Sequence, residues 1–440
     1  TKGEIFLANT LYEKIKAEIN TLSNYEYGCV EQTASKLQAL LSKVSIQKML
    51  HEKENLNRPI QLLINQLNDY QNMDGTWGWM RKDRPNWRMT IYVLQVLYKA
   101  NVMGYTVPPL QLAIEKVKSE WKNLSISDKI YASYILQTMH LASNTVALDF
   151  THAEIQSFAT IDKVYYYAYK QALGETIAST DLYAVFLEMS REANLGYHDN
   201  FFYDPRSTIL QAWVLFSGST FASEWLQLFK EKLKNGQLEN NSNTYTKAIW
   251  IEALCKQMQQ TNQAITSTVR INDTIIVNKF PFKMPIHEAK YTIQHTGADV
   301  FLQTSEEFHA FTPAKVDSIF AVETVFLQDG KATKELYVGE LCSMQVNLQA
   351  FKTKQHVMLE IPIPAGMYVT QKPQQVGAYT QYKKDKIIVF FEKLAMGKTQ
   401  LLFTLQAAWK GEFVQAPTQC SLMYYPFVTG NDVTKYLRIR

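Results

Sequence analysis

Over roughly the first 260 residues the apolar positions recur at helical spacing, whereas from Ser267 onward they mostly alternate with polar ones. The first pattern predicts helices and the second predicts half-buried strands. The change falls in the Gln/Asn/Thr-rich stretch KQMQQTNQAITS, residues 256–267. Within the helical part a similar phrase returns: YVLQVL from Tyr92, YILQTM from Tyr134, VFLEMS from Val185 and IWIEAL from Ile249. Intervals of roughly forty to fifty residues are those of helix-hairpin repeats in which one helix of each pair packs inward, so the pattern predicts a helical solenoid or a closed ring. Polar joints such as NLSISD and YDPRST supply Asn, Ser and Asp suited to helix N-caps.

Beyond Ser267, the segments STVRINDTIIVNKF, YTIQHTGADVFLQT, SIFAVETVFLQDGKATKELYV, HVMLEIPIP and KIIVFFEKL are rich in β-branched and aromatic residues. Asp329-Gly330 predicts a tight hairpin turn, and the run from Pro362 to Gly366 ends a strand. One or two antiparallel sandwiches follow from this pattern. The last runs from about Val316 to the end, with a smaller β unit before it.

Composition narrows the function classes. The 440 residues carry 45 basic and 41 acidic side chains, a net charge of +4 without a clustered Lys/Arg stripe. Nucleic acid is therefore not an expected partner. No run of eighteen apolar residues predicts a membrane span, and the start shows no signal peptide. A chain that begins at Thr1 is expected to be a fragment of something longer. Four dispersed cysteines (Cys29, Cys255, Cys342, Cys420) form no CxxC pair, which excludes a zinc ribbon or a dense disulfide framework. HExxH, GxSxG and Walker-type motifs are absent, and His287-Glu288 lacks the second histidine of a zincin. No metal or cofactor is implied.

One stretch does carry chemistry. In EYGCVEQTAS, residues 26–35, Cys29 precedes Gln32 by three positions at the head of a helical run. On a helix the two side chains lie on one side, a turn apart. Gly28 permits a tight turn and close backbone approach, and a helix N-terminus favours the thiolate. Attack of that thiolate on the Gln32 carboxamide, with loss of ammonia, would give an internal thioester, an activated acyl group built from the protein itself. Such a bond persists only where water is excluded. An aromatic or apolar cover is expected, with Tyr25, Tyr27, Trp77 and Trp79 as candidates. By spacing alone the same residues also fit an ordinary buried thiol. Cys255, in IEALCKQ, has the spacing of a helix core residue.

The surrounding sequence adds a resemblance. YEYGCVEQTASKL resembles the thioester segment of the alpha-2-macroglobulin and complement family in its bacterial form. DGTWGWM at 74–80 and NWRMTIYVLQVLYKANVMGYTVP resemble the following parts of that domain, and EIPIPAGMYV and GEFVQAPTQCSLMYYPFVTG resemble the last macroglobulin-like sandwich. The similarity extends over essentially the whole chain. Val30 and Thr33 stand where animal members have Gly and Asn, which points to the bacterial branch. Separately, QNMDGTW resembles the Gln-x-x-x-Gly-x-Trp phrase of terpene cyclases, whose fold is also an α/α ring.

The resemblance implies a multidomain α plus β chain. An α/α toroid bearing the thioester spans residues 1–262, a small linking β unit 263–314, and a macroglobulin-like β-sandwich 315–440. It implies that Cys29 and Gln32 form the thioester, that Tyr27, Gly28, Glu31, Trp77 and Trp79 line its pocket, and that Tyr424, with Tyr425 second, shields it. It further implies a single-use protease inhibitor, not an enzyme, whose bond captures lysine amines of an attacking protease. Upstream macroglobulin domains and a bait region are absent from this sequence. The expected location is the bacterial periplasm or cell surface, with a lipid anchor on a preceding segment as one route. Glu31 has the position of a solvated or capping carboxylate with no assigned catalytic role. His140 lies at a distance broadly suited to the histidine that directs some complement proteins toward hydroxyls, but the local match is poor and it reads as an ordinary helix residue. Two rival readings stay open: a non-covalent macroglobulin-like envelope scaffold in which the bond never forms, and a terpene-cyclase-like enzyme, which lacks the Asp-x-Asp-Asp motif or zinc set it would need.

Overall fold

The computed structural model describes the chain apart from residues 1, 10, 26–27, 51–53, 142–147, 193–199, 218–226, 228–242, 261–265, 299, 308–311, 373 and 376. Tyr27 and the end of the expected helical domain at residue 262 lie outside the described residues. Two compact units divide the chain, Thr1–Glu307 and Phe308–Arg440.

The first unit contains helices α1 (Leu11–Ser23), α2 (Val30–Leu50), α3 (Asn57–Tyr70), α4 (Trp87–Val102), α5 (Leu110–Ser119), α6 (Ile126–Thr138), α7 (His152–Gln156), α8 (Thr160–Ala172), α9 (Ser179–Glu192), α10 (Pro205–Phe216) and α11 (Thr244–Gln260). Six of them pack in a closed circuit, α2 on α4, α4 on α6, α6 on α8, α8 on α10, α10 on α11, and α11 back on α2. Helix α3 covers α2, α5 covers α4, α9 rests on α8 and α10, and α1 lies against α2 and α11. The inner helices α4 and α10 are buried almost all round, whereas α9 buries only Leu182, Val185 and Met189 along one face. This is the difference expected between core helices and amphipathic outer ones. Of the four repeated phrases, those from Tyr92, Tyr134 and Ile249 fall on inner helices, while VFLEMS from Val185 falls on the outer α9.

The polar joints behave as caps. Ser125 accepts the N–H of Asp128 at the start of α6, and Asp204 accepts that of Arg206 ahead of Pro205 at the first position of α10.

The first unit also contains a small β sandwich. Its strands are β1 (Lys2–Ala8), β2 (Ser267–Ile271), β3 (Ile275–Val277), β4 (Phe282–Pro285), β5 (Ile293–Gly297) and β6 (Phe301–Glu307). They form two sheets, β4-β1-β6 and β3-β2-β5, around Ile5, Leu7, Val269, Ile271 and Val277. Residues 2–8, which the sequence reading placed with the helices, are thus the central strand of a sheet whose other strands come after the ring. Ile5 and Leu7 alternate as a strand requires, but seven residues abutting α1 do not separate from a helical pattern by periodicity.

The second unit is an antiparallel sandwich. One sheet orders β12 (Met367–Val369), β15 (Gly397–Ala407), β10 (Leu341–Ala350), β7 (Phe320–Gln328) and β8 (Lys331–Ala332). The other orders β13 (Tyr379–Tyr382), β14 (Lys386–Leu394), β11 (Lys354–Pro362), β17 (Gln419–Leu422) and β18 (Tyr425–Asn431). Three short strands, β16 (Gly411–Gln415), β19 (Lys435–Ile439) and β9 (Glu335–Leu336), make a third sheet. Strict alternation on β10 buries Cys342, Met344, Val346 and Leu348 and turns Ser343, Gln345 and Asn347 outward. Asp329 and Gly330 both have positive φ, 49° and 78°, and join β7 to β8, the tight turn expected from Asp-Gly.

Candidate functional site

Cys29 is the N-cap of α2 and Gln32 is its third helical residue. The Gln32 backbone N–H donates to Cys29 Sγ at 3.4 Å, and the Cys29 N–H donates to Gln32 Oε1 at 3.1 Å. These are the two reciprocal bonds of a capping box, with a thiol in place of the usual hydroxyl and a glutamine closing the loop. Helix-capping geometry thereby folds the carboxamide back onto the Cys29 backbone, and no distant element is needed to do it. Both side chains are buried, Cys29 to 2% and Gln32 to 0% exposure, which keeps bulk water from either. The Gln32 Nε2 is buried without a hydrogen-bond partner among the described residues. An orphaned buried amide donor is costly; it is also the atom that would depart as ammonia.

The neighbouring backbone is tied down from several sides. Val30 donates its N–H to the Trp79 carbonyl at 3.1 Å, and Thr33 caps the Cys29 carbonyl with both its N–H and its hydroxyl. Tyr70 of α3 donates to the Gly28 carbonyl at 3.0 Å and itself accepts from Gln66. A Cβ on Gly28 would stand 3.2 Å from Gln66 Nε2, so glycine here is a matter of space.

Glu31 differs from the expectation of a solvated carboxylate. It is fully buried, accepting hydroxyl hydrogen bonds from Ser35 and, at 2.7 Å, from Thr244 of α11. Ser35 meets the Tyr92 hydroxyl at 2.9 Å, Tyr92 donates to Gln38 at 3.0 Å, and Gln38 donates to Glu252 at 2.6 Å, where Lys99 also binds at 2.8 Å. Residues 31, 35 and 38 follow helical spacing, so one polar seam of α2 points into the ring while Cys29, Gln32 and Lys36 share another face. Burial first, and the charge of Glu31 second, hold the Tyr92 phenol well above its ordinary pKa, so it remains a neutral donor in this chain.

Of the expected cover residues, Trp79 adjoins the site through its carbonyl, and its ring stacks edge-on to Phe201 at 5.5 Å. Phe201 is one member of an aromatic cluster with Phe202, Tyr245 and, through these, Tyr92, ring centroids lying 4.1–6.0 Å apart. Phe201, Phe202, Thr244 and Tyr245 are not among the residues expected from sequence; each lies well over a hundred residues from Cys29, and the local signal there is the apolar Phe201-Phe202 pair beside the polar YDPRST joint. Trp77 is fully buried, and its Nε1 donates to the Leu67 carbonyl at 2.8 Å. The phrase around it is a joint, since Gln71 donates to the carbonyls of Gly75 and Pro109, and Gly75 sits at φ +91° against the backbone of Leu112. Tyr25 is half-buried and its carbonyl takes the Lys36 ammonium at 2.6 Å.

His140 is exposed and stands just past α6 with φ +55°, while Leu141 donates back to Leu136, the geometry of a helix stop. Cys255 is buried on α11, where desolvation pushes its thiol far up. In the second unit Tyr424 and Tyr425 are both buried at the turn between β17 and β18, and Tyr424 lies edge-on to His356.

Residues 321–426 match the bacterial alpha-2-macroglobulin MG10 domain. A stretch of 136 residues is 34% identical to alpha-2-macroglobulin of Thermotoga maritima, covering 30% of this chain and 8% of that protein. The chain thus carries a domain of the bacterial alpha-2-macroglobulin MG10 type. Over its whole length it also superimposes on the native Escherichia coli alpha-2-macroglobulin fragment running from domain MG7 to the C-terminus, with TM-score 0.77, 16% identity and 77% of that chain covered. For the native E. coli protein seen by cryo-electron microscopy the TM-score is 0.79 at 16% identity, with 31% of that chain covered. Salmonella alpha-2-macroglobulin reacted with methylamine gives 0.77 at 15%, again with 31% covered. At these identities the likeness establishes the fold, helical domain and β domains together, and the chain spans only a minor part of its full alpha-2-macroglobulin relatives.

Proposed function

We propose that Cys29 and Gln32 form an internal thioester and that the chain is the thioester-bearing portion of a bacterial alpha-2-macroglobulin that traps proteases. The observation that carries this reading is the reciprocal capping pair, which holds the Gln32 carboxamide at the Cys29 backbone and the Cys29 sulfur at the Gln32 backbone in a buried site and leaves the departing nitrogen unbonded. In the forming step Sγ bonds to Cδ, the Cδ–N bond breaks, and ammonia leaves with the thiol proton. In the consuming step a lysine amine of the protease attacks Cδ, an amide forms, and the Cys29 thiolate and one amine proton are released. Each bond acts once, so the protein is an inhibitor and not a turnover enzyme. The relative from Salmonella that was reacted with methylamine is a further support, since methylamine is a small model of such an amine.

In this reading Trp79, with Phe201 packed edge-on against its ring, covers the pocket. The position of His140 at a helix stop supports amine selectivity over hydroxyl selectivity. The periplasm or the cell surface is the proposed location, where foreign proteases arrive; fractionation of the source cells checks it. Among the described residues no helix is long and apolar enough to cross a membrane.

The deciding experiment is the intact mass of the chain before and after methylamine, with peptide mapping of residues 26–36. A mass lower by one ammonia, a blocked Cys29 thiol and methylamine on Gln32 are expected. A full mass with titratable Cys29 and unmodified Gln32 would leave the non-covalent scaffold as the reading, and glutamate at position 32 beside a free thiol would mean that the bond formed and hydrolysed.

A further inference from the structure

Lys36 lies seven residues after Cys29 and four after Gln32, so the three share one face of α2 over about 10 Å of helix. Helical side chains lean toward the N-terminus, and Lys36 does so far enough to donate its ammonium to the Tyr25 carbonyl at 2.6 Å. That carbonyl precedes Cys29 by four residues, so the lysine side chain runs back along the face that carries the capping pair. Burial lowers the Lys36 pKa, and the charges of Cys29 and Glu31 act the other way, to keep the proton on. Among the titratable groups that neighbouring elements bring are Tyr70 of α3, occupied with the Gly28 carbonyl, Glu18 of α1, paired with Lys247 of α11 at 3.0 Å, and Tyr245 of α11.

We infer that the Lys36 ammonium is the electrostatic partner of the Cys29 sulfur, stabilising the negative charge that gathers on Sγ when the thioester opens. The inference rests on the thioester reading above. As the amine attacks, the Cδ–N bond forms, the Cδ–Sγ bond breaks with its electron pair on Sγ, and the surplus amine proton passes to water. Lys36 keeps its own proton throughout. A cation beside a thiolate, added to the helix N-terminus, makes sulfur a better leaving group. The lysine is a positioning and charge-balancing residue and does not itself attack.

The test uses the full chain with Lys36→Met, Lys36→Gln and Lys36→Arg. Two quantities are read: the rate of methylamine incorporation at Gln32 between pH 6 and 9, and the pH midpoint of iodoacetamide alkylation of Cys29 once its thiol is free. The neutral variants are expected to slow incorporation about tenfold and raise the alkylation midpoint by about one pH unit, with Lys36→Arg restoring most of both. Unchanged midpoints in the neutral variants overturn the inference, as does a wild-type midpoint at or above about 8.5, the value of an ordinary cysteine. The wild-type measurement decides even if a neutral variant does not fold. A Gln32–Lys36 crosslinked peptide in the wild type also overturns it, because the amine would then be a nucleophile. Should the wild type show no ammonia loss and no methylamine uptake, the thioester reading falls, while the alkylation midpoints still judge Lys36 on the free thiol.

Discussion

Tyr424 stands edge-on to His356, ring centroids 5.6 Å apart and planes at 89°, and the His356 carbonyl accepts the Met423 N–H at 2.8 Å. One histidine therefore holds both the backbone and the ring at the tip of the β17–β18 hairpin. Burial lowers its imidazole pKa to about 4, against an ordinary value of 6.5. Because the folded value is depressed, the unfolded chain binds the proton first, and stability present above pH 6.5 drains as pH falls toward 4. The expected loss is on the order of 2 kcal/mol. Urea unfolding of the wild type at pH 7.5 and 5 should show it, and His356→Asn, which tolerates the residue's φ of +55°, should flatten the difference.

Glu31 joins the first and last inner helices through Thr244. Glu31→Ala would leave two buried hydroxyls facing a void, and a loss of about 2–3 kcal/mol is expected, with Thr244→Val losing less. Midpoints of urea unfolding followed by helical circular dichroism check this. Equal stability of Glu31→Ala and wild type would show that the seam does not brace the ring.

Arg88 is buried 3.7 Å from Asp162 and lies over the rings of Tyr131 at 4.6 Å and Tyr203 at 5.4 Å. Burial raises the Asp162 pKa despite the opposing charge of Arg88. Arg88→Met should cost about 3–5 kcal/mol at pH 7 because it strands that carboxylate. The folded pKa of Asp162 would then lie further above its unfolded value, so the deficit should shrink as pH falls toward 4 and grow as it rises. Adding Asp162→Asn should recover part of the loss at pH 7, read from the same unfolding curves.

Gly28→Ala should leave overall stability within about 1 kcal/mol of wild type yet lower the fraction of chains that lose ammonia. The new Cβ pushes on Gln66, whose amide supports Tyr70 and through it the Gly28 carbonyl. Intact-mass distributions of the two proteins compare the fractions directly, and identical distributions would show that the Gly28 support is not needed.

What could be read from sequence was local. Cys29 and Gln32 are three residues apart, and a capping box needs nothing further, so the spacing alone carries the geometry. Asp329-Gly330 and the Ser125 and Asp204 caps are likewise decided within four residues. Periodicity separated helices from strands but could not distinguish an inner helix from an outer one, as the phrase from Val185 shows, because both present an apolar face. The surroundings of Glu31 were hidden for another reason. A carboxylate in a first helical turn is ordinarily solvated, and only the return of α11, 213 residues later, supplies the hydroxyl of Thr244 that makes its burial affordable. The aromatic cluster around Phe201 is assembled in the same way by ring closure.

The placement of β1 has a consequence for how the chain folds. Its strand partners, Phe282–Pro285 and Phe301–Glu307, are separated from it by the entire ring of helices. Pairing β1 to them directly would mean closing a loop of some 270 residues of loose chain, an entropic cost that a seven-residue strand is poorly placed to meet. Once the helices have condensed, the same two ends are already brought near each other and the loop is effectively short. The small sandwich is thus expected to be the last part of its unit to assemble and the first to open, a latch whose closure reports that the ring behind it is complete.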